Sequence, residues 1–490
     1  MKKILSFVGV LFLLLVAVLV MRTLSFTTTN ESAKIAKVDV GLENQAALDR
    51  FAKALTFPTI SNANGELVDW PVFIAFREYL EASFPRTFAE IPYELVNEHS
   101  LLFRWEGRDK ALAPILLLAH QDVVPVVPGT EEEWAHPPYA GDIADGFVWG
   151  RGAVDDKASV IGILEAVETL LRDGFTPERT TYLAFGHDEE VSGKQGAKQI
   201  AQKLAAEGVQ LAFLLDEGGA IARDVMPGTQ AVIAAIGPAE KGFLSLELTA
   251  RSLGGHSSQP PAHTAVGLLA RAIVQLENNP LPADLQYIKR FVQALGNNVP
   301  FYQRMMFANL WLLNTPAEKV LRADPQMNAM MRTTTAATMI SGSVRDNVLP
   351  IEAKAVVNFR ILPGDTTDSV QAMVREIIDD ENIEISKHGF NANPSPVADT
   401  GSSAYKLLEK TVWQVVGSER LVVAPKLVVG ATDARYFNEV SDASFRFIGL
   451  ELGPDEIAGF HGTNEKVATE SYLNAVKVYY QLIKNAQDSL

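Results

Sequence analysis

Apolar residues in this chain gather into short unbroken runs that stop abruptly at acids or histidine, and five such runs organise the sequence. They are 115–122 (ILLLAHQD), 148–156 (VWGRGAVDD), 182–190 (YLAFGHDEE), 213–219 (FLLDEGG) and 459–465 (GFHGTNE). Runs of this length bounded by turn signals read as buried strands, with short buried helix pieces the alternative on periodicity alone. Helical spacing of apolar residues predicts helices at 44–55, 70–84, 160–171 and 197–204. Strand and helix signals therefore alternate to about residue 236, the pattern of a largely parallel sheet covered by helices.

Beyond residue 241 the pattern changes. Leu244, Leu246 and Leu248 alternate with Ser245, Glu247 and Thr249, which predicts a strand with one buried face. A glycine turn at 254–255, a helix at 265–277, a strand at 353–361, a helix at 367–379 and a short strand at 383–387 complete a small α+β layer of ferredoxin-like type. The intervening 280–334 is mostly helical and rich in methionine (Met305, Met306, Met327, Met330, Met331), a composition that suits core filling or a flexible apolar wall. From about residue 402 a helix, strands at 426–429 and 445–448, a loop and a final helix at 469–484 return the chain to the larger domain. The expected layout is a membrane segment at 1–24, a tether at 25–43, a mixed, mostly parallel α/β domain at 44–239 and 391–490, and an inserted α+β domain at 240–390 containing the helical insert.

The first segment differs in kind. Lys2 and Lys3 precede 4–21, which is apolar apart from Ser6 and Gly9. Eighteen helical residues reach roughly 27 Å, close to the ~30 Å hydrocarbon core. No small-x-small cleavage site follows, so the expectation is an uncleaved signal anchor, with the lysines cytoplasmic and the body exported; a cleaved signal peptide is the alternative. A net charge of −16 argues against nucleic acid as a partner. The absence of cysteine rules out disulfides, thiolate nucleophiles and Cys-type zinc sites, leaving His, Asp and Glu to hold any metal.

Acids and imidazoles just past the ends of strands converge on one rim of an α/β sheet, where such folds place ligands. Desolvated acids in that number need a cation, and a divalent pair supplies it economically. His120 can bind metal through one ring nitrogen while Asp122 fixes the other, although a single His-x-Asp also suits a surface histidine. Asp155 can bridge two ions, or Asp155-Asp156 can simply favour the start of the helix that follows. Of Glu189-Glu190, one can ligate while its neighbour stays free as a general base, with solvated helix-start charge the plain alternative. Asp216 ends an otherwise apolar strand and needs a partner, and His461 offers a second imidazole.

Taken together, His120-x-Asp122, Gly150-Arg151-Gly152-Ala153-x-Asp155-Asp156-Lys157, Asp188-Glu189-Glu190, Asp216-Glu217-Gly218, Gly254-Gly255-His256 and His461-Gly462 resemble the di-zinc metallopeptidases that include glutamate carboxypeptidase, aminoacylase and carboxypeptidase S. The likeness runs from about residue 45 to the end, and the membrane segment, Trp134-x-His136-Pro137-Pro138 and the helical insert resemble the branch of carboxypeptidase S and N-fatty-acyl-amino-acid hydrolases. The resemblance implies two zinc ions, one held by His120, Asp155 and Asp216 and the other by Asp155, Glu190 and His461, with Asp155 bridging. It further implies Asp122 orienting His120, Glu189 as general base, and His256 and Asn347 in a lid that dimerises and reaches a partner's site. Arg360 matches the arginine that grips a substrate carboxylate, and Arg435 is a second candidate for that region. The implied activity is hydrolysis of an amide to release an amino acid with a free carboxylate. A dipeptidase of the same family, or a non-catalytic extracytoplasmic metal-binding recognition protein, stands as the alternative.

Overall fold

The computed structural model describes residues 2–26, 35–224 and 228–487; of the tether expected at 25–43, residues 27–34 lie outside the described residues. Six strands form the central sheet in the order Tyr93–Val96, Ser100–Trp105, Thr181–Gly186, Ile115–His120, Phe213–Asp216 and Ser444–Arg446. The last four run parallel, and the first two add an antiparallel edge. Side chains alternate across this sheet as pleating requires. Leu117, Ala119, Phe213 and Leu215 face the helices Lys157–Arg172 and Thr469–Asn485, whereas Leu116, Leu118 and Leu214 face the helix Ala197–Ala206 and Phe437. With both faces covered, the four parallel strands have no solvent side, which is why the inner segments read as continuous apolar runs.

A separate antiparallel sheet has the order Thr334–Ser341, Glu352–Ile361, Gly242–Arg251 and Ile383–Ala392. Leu244, Leu246, Leu248, Val357 and Phe359 are buried under the helices Ala265–Asn278 and Thr367–Ile378. The sequence reading lacked the edge strand Thr334–Ser341. Its residues (TTAATMIS) show no alternation, and both faces of the strand are exposed from Ala336 to Ser341, so neither is marked by core residues.

The insert folds as four helices, Gln286–Leu295, Phe301–Ala308, Leu310–Leu321 and Pro325–Met331. Met330 and Met331 are fully buried in a core shared with Ile288, Phe291, Ile233 and Val422, so these methionines fill space. The strand expected at 426–429 is instead Leu421–Pro425, paired in parallel with Val232–Ile236, and 426–429 leads away from it along a cavity wall. The N-terminal helix Lys2–Leu24 is long and apolar enough to cross a membrane, as a signal or an anchor would be.

Candidate metal centre

Four of the acid-ending runs meet at the ends of the parallel strands, and the loop carrying His461 closes over them. His120 ends its strand fully buried, Glu189 and Glu190 open the single turn Glu189–Val191 after Thr181–Gly186, and Glu217 follows Phe213–Asp216. Asp155 and Asp156 arrive on the loop before the helix Lys157–Arg172. That loop needs its glycines: Gly152 has φ +87°, and a Cβ there would lie 2.8 Å from Val123 Cγ1.

Asp155 touches one imidazole with each oxygen, His120 Nε2 at 2.9 Å and His461 Nε2 at 2.7 Å. His461 Nε2 also lies 3.4 Å from Glu190 Oε2, and His120 Nε2 lies 3.9 Å from Glu217 Oε1. Two sets of donor atoms, His120/Asp155/Glu190 and His120/Glu189/Glu217, each fall within 4.8 Å of one another. Asp122 ties the group together from behind. Its carboxylate accepts from the backbone N–H of Glu189 (3.1 Å), the N–H of Glu190 (3.0 Å) and Ser61 Oγ (2.6 Å), and it lies 3.3 Å from His120 Nδ1. One carboxylate thus sets both the ring orientation of His120 and the turn bearing the glutamate pair.

The electrostatics of the group show what it lacks. Burial, then Asp155, pushes Glu190 up to about 7. Burial and then Asp433 raise Glu189 well above the ordinary glutamate value, with Arg435 opposing. Glu217 is raised well above its ordinary value by burial and by Asp155. Burial also opposes the charged form of Asp155, but hydrogen bonds from His120 and His461 outweigh it and hold this carboxyl low. Glu190 Oε1 is buried without a partner. Acids crowded this way either take up protons or gather around cations. Two imidazoles and several carboxylates around a shared aspartate, with no thiolate, are a donor set that suits a pair of divalent ions.

The other expected site residues fall in different places, and at one strand end the geometry favours a neighbouring acid. Asp216 is in phase with Leu214, so its carboxylate turns to the opposite face and accepts from the backbone N–H of Ala434 at 2.7 Å; Glu217, one residue on, is the acid beside His120. Arg435 lies behind Glu189, 3.9 Å from its Oε1 and 3.7 Å from Asp433 Oδ1, and donates to the Ser192 carbonyl instead of lining the cavity. His256 and Asn347 sit together on the exposed pair Gly255–His256 and Val348–Leu349 and line a groove of their own, outside the acid cluster of the same chain. Arg360 does line the cavity of about 570 Å³ that also holds Asp155, Glu189, Glu190, Glu217 and His461. Its guanidinium stacks 4.8 Å from the Phe243 ring centroid, and among the described residues no carboxylate pairs with it.

Sequence reasoning passed over Lys426, which lines the same cavity, and Glu465. Glu465 is fully buried and accepts from Arg151 Nη1 (2.7 Å) and from the N–H groups of Gly152 (3.0 Å), Val154 (2.8 Å) and Asp155 (3.2 Å). Glu465→Ala leaves a buried guanidinium without its carboxylate and three amides without their acceptor, a loss of about 3–5 kcal/mol. Denaturant melts should show that loss as a lower midpoint, and metal affinity should fall with it because Asp155 is no longer held.

An acid and imidazole cluster at the rim of a mixed α/β sheet, with a separate antiparallel sheet domain, defines a metal-dependent hydrolase. The chain belongs to peptidase family M20/M25/M40, which it matches over residues 116–485. Within that family it is a carboxypeptidase S-like metallopeptidase: it is 37% identical to the probable carboxypeptidase S-like 2 of Dictyostelium discoideum over 96% of this chain and 92% of the relative. It is similarly 38% identical to the N-fatty-acyl-amino acid synthase/hydrolase PM20D1 of Homo sapiens, covering 91% and 88%, and 29% identical to carboxypeptidase S of Saccharomyces cerevisiae, covering 90% and 84%. In fold it resembles an M20 family metallo-carboxypeptidase from Sulfolobus solfataricus (TM-score 0.65, 20% identity, 90% of this chain and 99% of that one).

Proposed function

We propose that the protein is an exported, membrane-anchored di-zinc hydrolase that cleaves the amide bond of an N-acyl amino acid or peptide and releases an amino acid with a free α-carboxylate. The function of an M20 metallo-carboxypeptidase or N-acyl-amino-acid hydrolase follows from family membership. The observation that supports the finer reading is Arg360, a half-buried cation with no acidic partner among the described residues, facing the same cavity as the acid cluster. A substrate carboxylate fits that vacancy bidentately, in a way lysine does not reproduce. The rest of the wall includes Ala220, Ala222, Ala235, Leu452, Ile457 and Phe460, an apolar lining that suits a hydrophobic acyl group. This agrees with the fatty-acyl substrate in the name of the human relative.

His120, Asp155 and Glu217 would hold one ion and Asp155, Glu190 and His461 the other, leaving Glu189 uncoordinated. A bound pair supplies Lewis-acid polarisation of the scissile carbonyl and a more acidic water. Glu189 takes the proton of the attacking water and returns it to the leaving amine. Asp122 fixes Glu189 through its backbone N–H, and Arg435 opposes the burial that raises the pKa of Glu189. The exposed edge strand Thr334–Ser341, with Met339 and Ile340 exposed at 61% and 68%, supports a homodimer through the lid, which would bring His256 and Asn347 of one subunit toward the other's cavity.

The test is a panel of N-acyl amino acids, each with its C-terminal amide, given to the zinc-loaded full-length enzyme. Free carboxylates should be strongly preferred. Arg360→Ala should cost about 10–100-fold in kcat/KM on them, as expected for a charged hydrogen bond of about 1.5–3 kcal/mol, and little on the amides. Equal losses on both sets would overturn the carboxylate clamp.

A further inference from the structure

We propose that the helical insert is a bilayer-docking surface: together with the N-terminal helix it seats the catalytic body in the membrane interface, so that the cavity opens beside the lipid. This rests on the proposed function's reading of that helix as a retained anchor.

The N-terminal helix is exposed on all sides over its first turns and covered along one stripe further on. Ile4, Leu5 and Leu13 are exposed at 68%, 70% and 67%, whereas Leu15 and Leu19 are half-buried and Thr23 and Phe26 are buried. Spacings of four, four and three residues place these last four on one stripe. Phe26 enters the core of the insert beside Ile233, Ile288 and Phe291. Polar contacts lock the same stripe: Arg22 Nε donates to the Ala308 carbonyl at 3.2 Å, and the buried Asn309 Nδ2 donates to the Leu19 carbonyl at 3.2 Å and to Thr23 Oγ1 at 3.3 Å. The helix is therefore docked on the body over its last three turns, well before its apolar stretch ends.

Depth follows from length. An apolar stretch that begins at Ile4 needs to run to about Met21 to fill the ~30 Å hydrocarbon core. The contact stripe starts at Leu15, six residues or about 9 Å of helix earlier, so the docked stretch begins inside the membrane boundary. The surface there is suited to lipid. Phe301 and Tyr302 begin the helix that packs on the anchor, and Trp311 and Leu312 follow Asn309; their exposures are 44%, 65%, 58% and 46%. Aromatic rings with a polar edge favour the headgroup level. Although the chain carries a net charge of −16, residues 301–321 hold one acid, Glu318, against Arg304 and Lys319. Glu318 is itself paired with Arg332 at 2.6 Å. The next helix contributes Gln326 to the cavity wall, so one short element joins the docking surface to the active site. An amphiphilic N-acyl substrate dissolved in the bilayer then reaches the cavity without crossing water.

The absence of cysteine makes the test direct, because single-cysteine variants need no background removal. Spin labels are placed in the full-length enzyme, in phosphatidylcholine and phosphatidylglycerol vesicles, through Leu13→Cys, Tyr302→Cys, Trp311→Cys and Lys110→Cys. Lys110 is 80% exposed on the body and serves as the aqueous reference. Labels at 13, 302 and 311 should be relaxed by oxygen and shielded from a water-soluble nickel chelate, with the label at 110 the reverse. If 302 and 311 match 110 while 13 is in lipid, the docking surface is wrong and the anchor reading survives. If 13 is aqueous as well, both fail. Spin–spin broadening at 302 or 311 that persists in detergent would assign the face to a second copy of the chain and overturn the proposal. As a second readout, Trp311→Glu should lower turnover of a long-chain N-acyl substrate in vesicles several-fold and leave turnover of a water-soluble N-acetyl substrate unchanged; equal effects on both would also overturn it.

Discussion

Glu189→Gln is expected to bind metal as the native enzyme does and to lose about 10³-fold in kcat, the usual weight of a positioned acid–base group. That corresponds to about 4 kcal/mol of transition-state stabilisation. The amide keeps the shape of the side chain and the backbone bond to Asp122, so the turn and its neighbour Glu190 stay in place. Only the proton traffic is lost. Metal content by atomic emission and kcat on one N-acyl amino acid check the two halves separately, and retained turnover would remove Glu189 from its assigned role. The pH profile gives an independent reading. Arg435 lowers the pKa of Glu189 against burial and Asp433, so removing that cation raises it. The base works deprotonated; activity therefore falls as pH drops through the Glu189 pKa, and Arg435→Met should move that acid limb to higher pH. A limb that stays in place would assign the titration to another group.

The legibility of this chain in its sequence was uneven for physical reasons. Strands covered on both faces announce themselves, because no solvent side interrupts the apolar run, and Ile115–His120 and Thr181–Gly186 were plain for that reason. The edge strand Thr334–Ser341 had no such signal: one of its sides faces no partner, and small polar residues are tolerated there. His120, Asp155, Glu190 and His461 were recognisable as strand-end or loop residues of the right chemistry, and the structure brings them within reach of one another. The direction of the Arg435 side chain is not legible in a sequence motif. Its side chain serves Glu189 and Ser192 from behind. Glu465 was invisible as a structural acid, since its four donors come from residues more than 300 positions away. His256 and Asn347 lie on an exposed groove apart from the acid cluster of their own chain, and the glycine turn before His256 was their only signal.

The exchange of Asp216 for Glu217 yields the sharpest test of the metal assignment, because the two residues are adjacent and chemically alike. Strand alternation separates them: Asp216 shares the face of Leu214 and spends its carboxylate on the Ala434 N–H, while Glu217 lies past the strand end, beside His120 and lining the cavity. Glu217→Gln should reduce bound zinc from two ions to one per chain at limiting metal and lower kcat/KM by about 10²-fold or more, since a neutral amide is a poor zinc ligand. Asp216→Asn keeps an oxygen that can accept from Ala434, so it should retain both ions and cost chiefly stability, about 1–2 kcal/mol for the weakened buried bond. Metal titration and thermal melts of the two variants are read together. Loss of an ion from Asp216→Asn, with Glu217→Gln still fully loaded, would restore the ligand set expected from the motif and overturn the geometric one. The reverse outcome places the second carboxylate of that site on the residue that the strand's parity turns toward the imidazole.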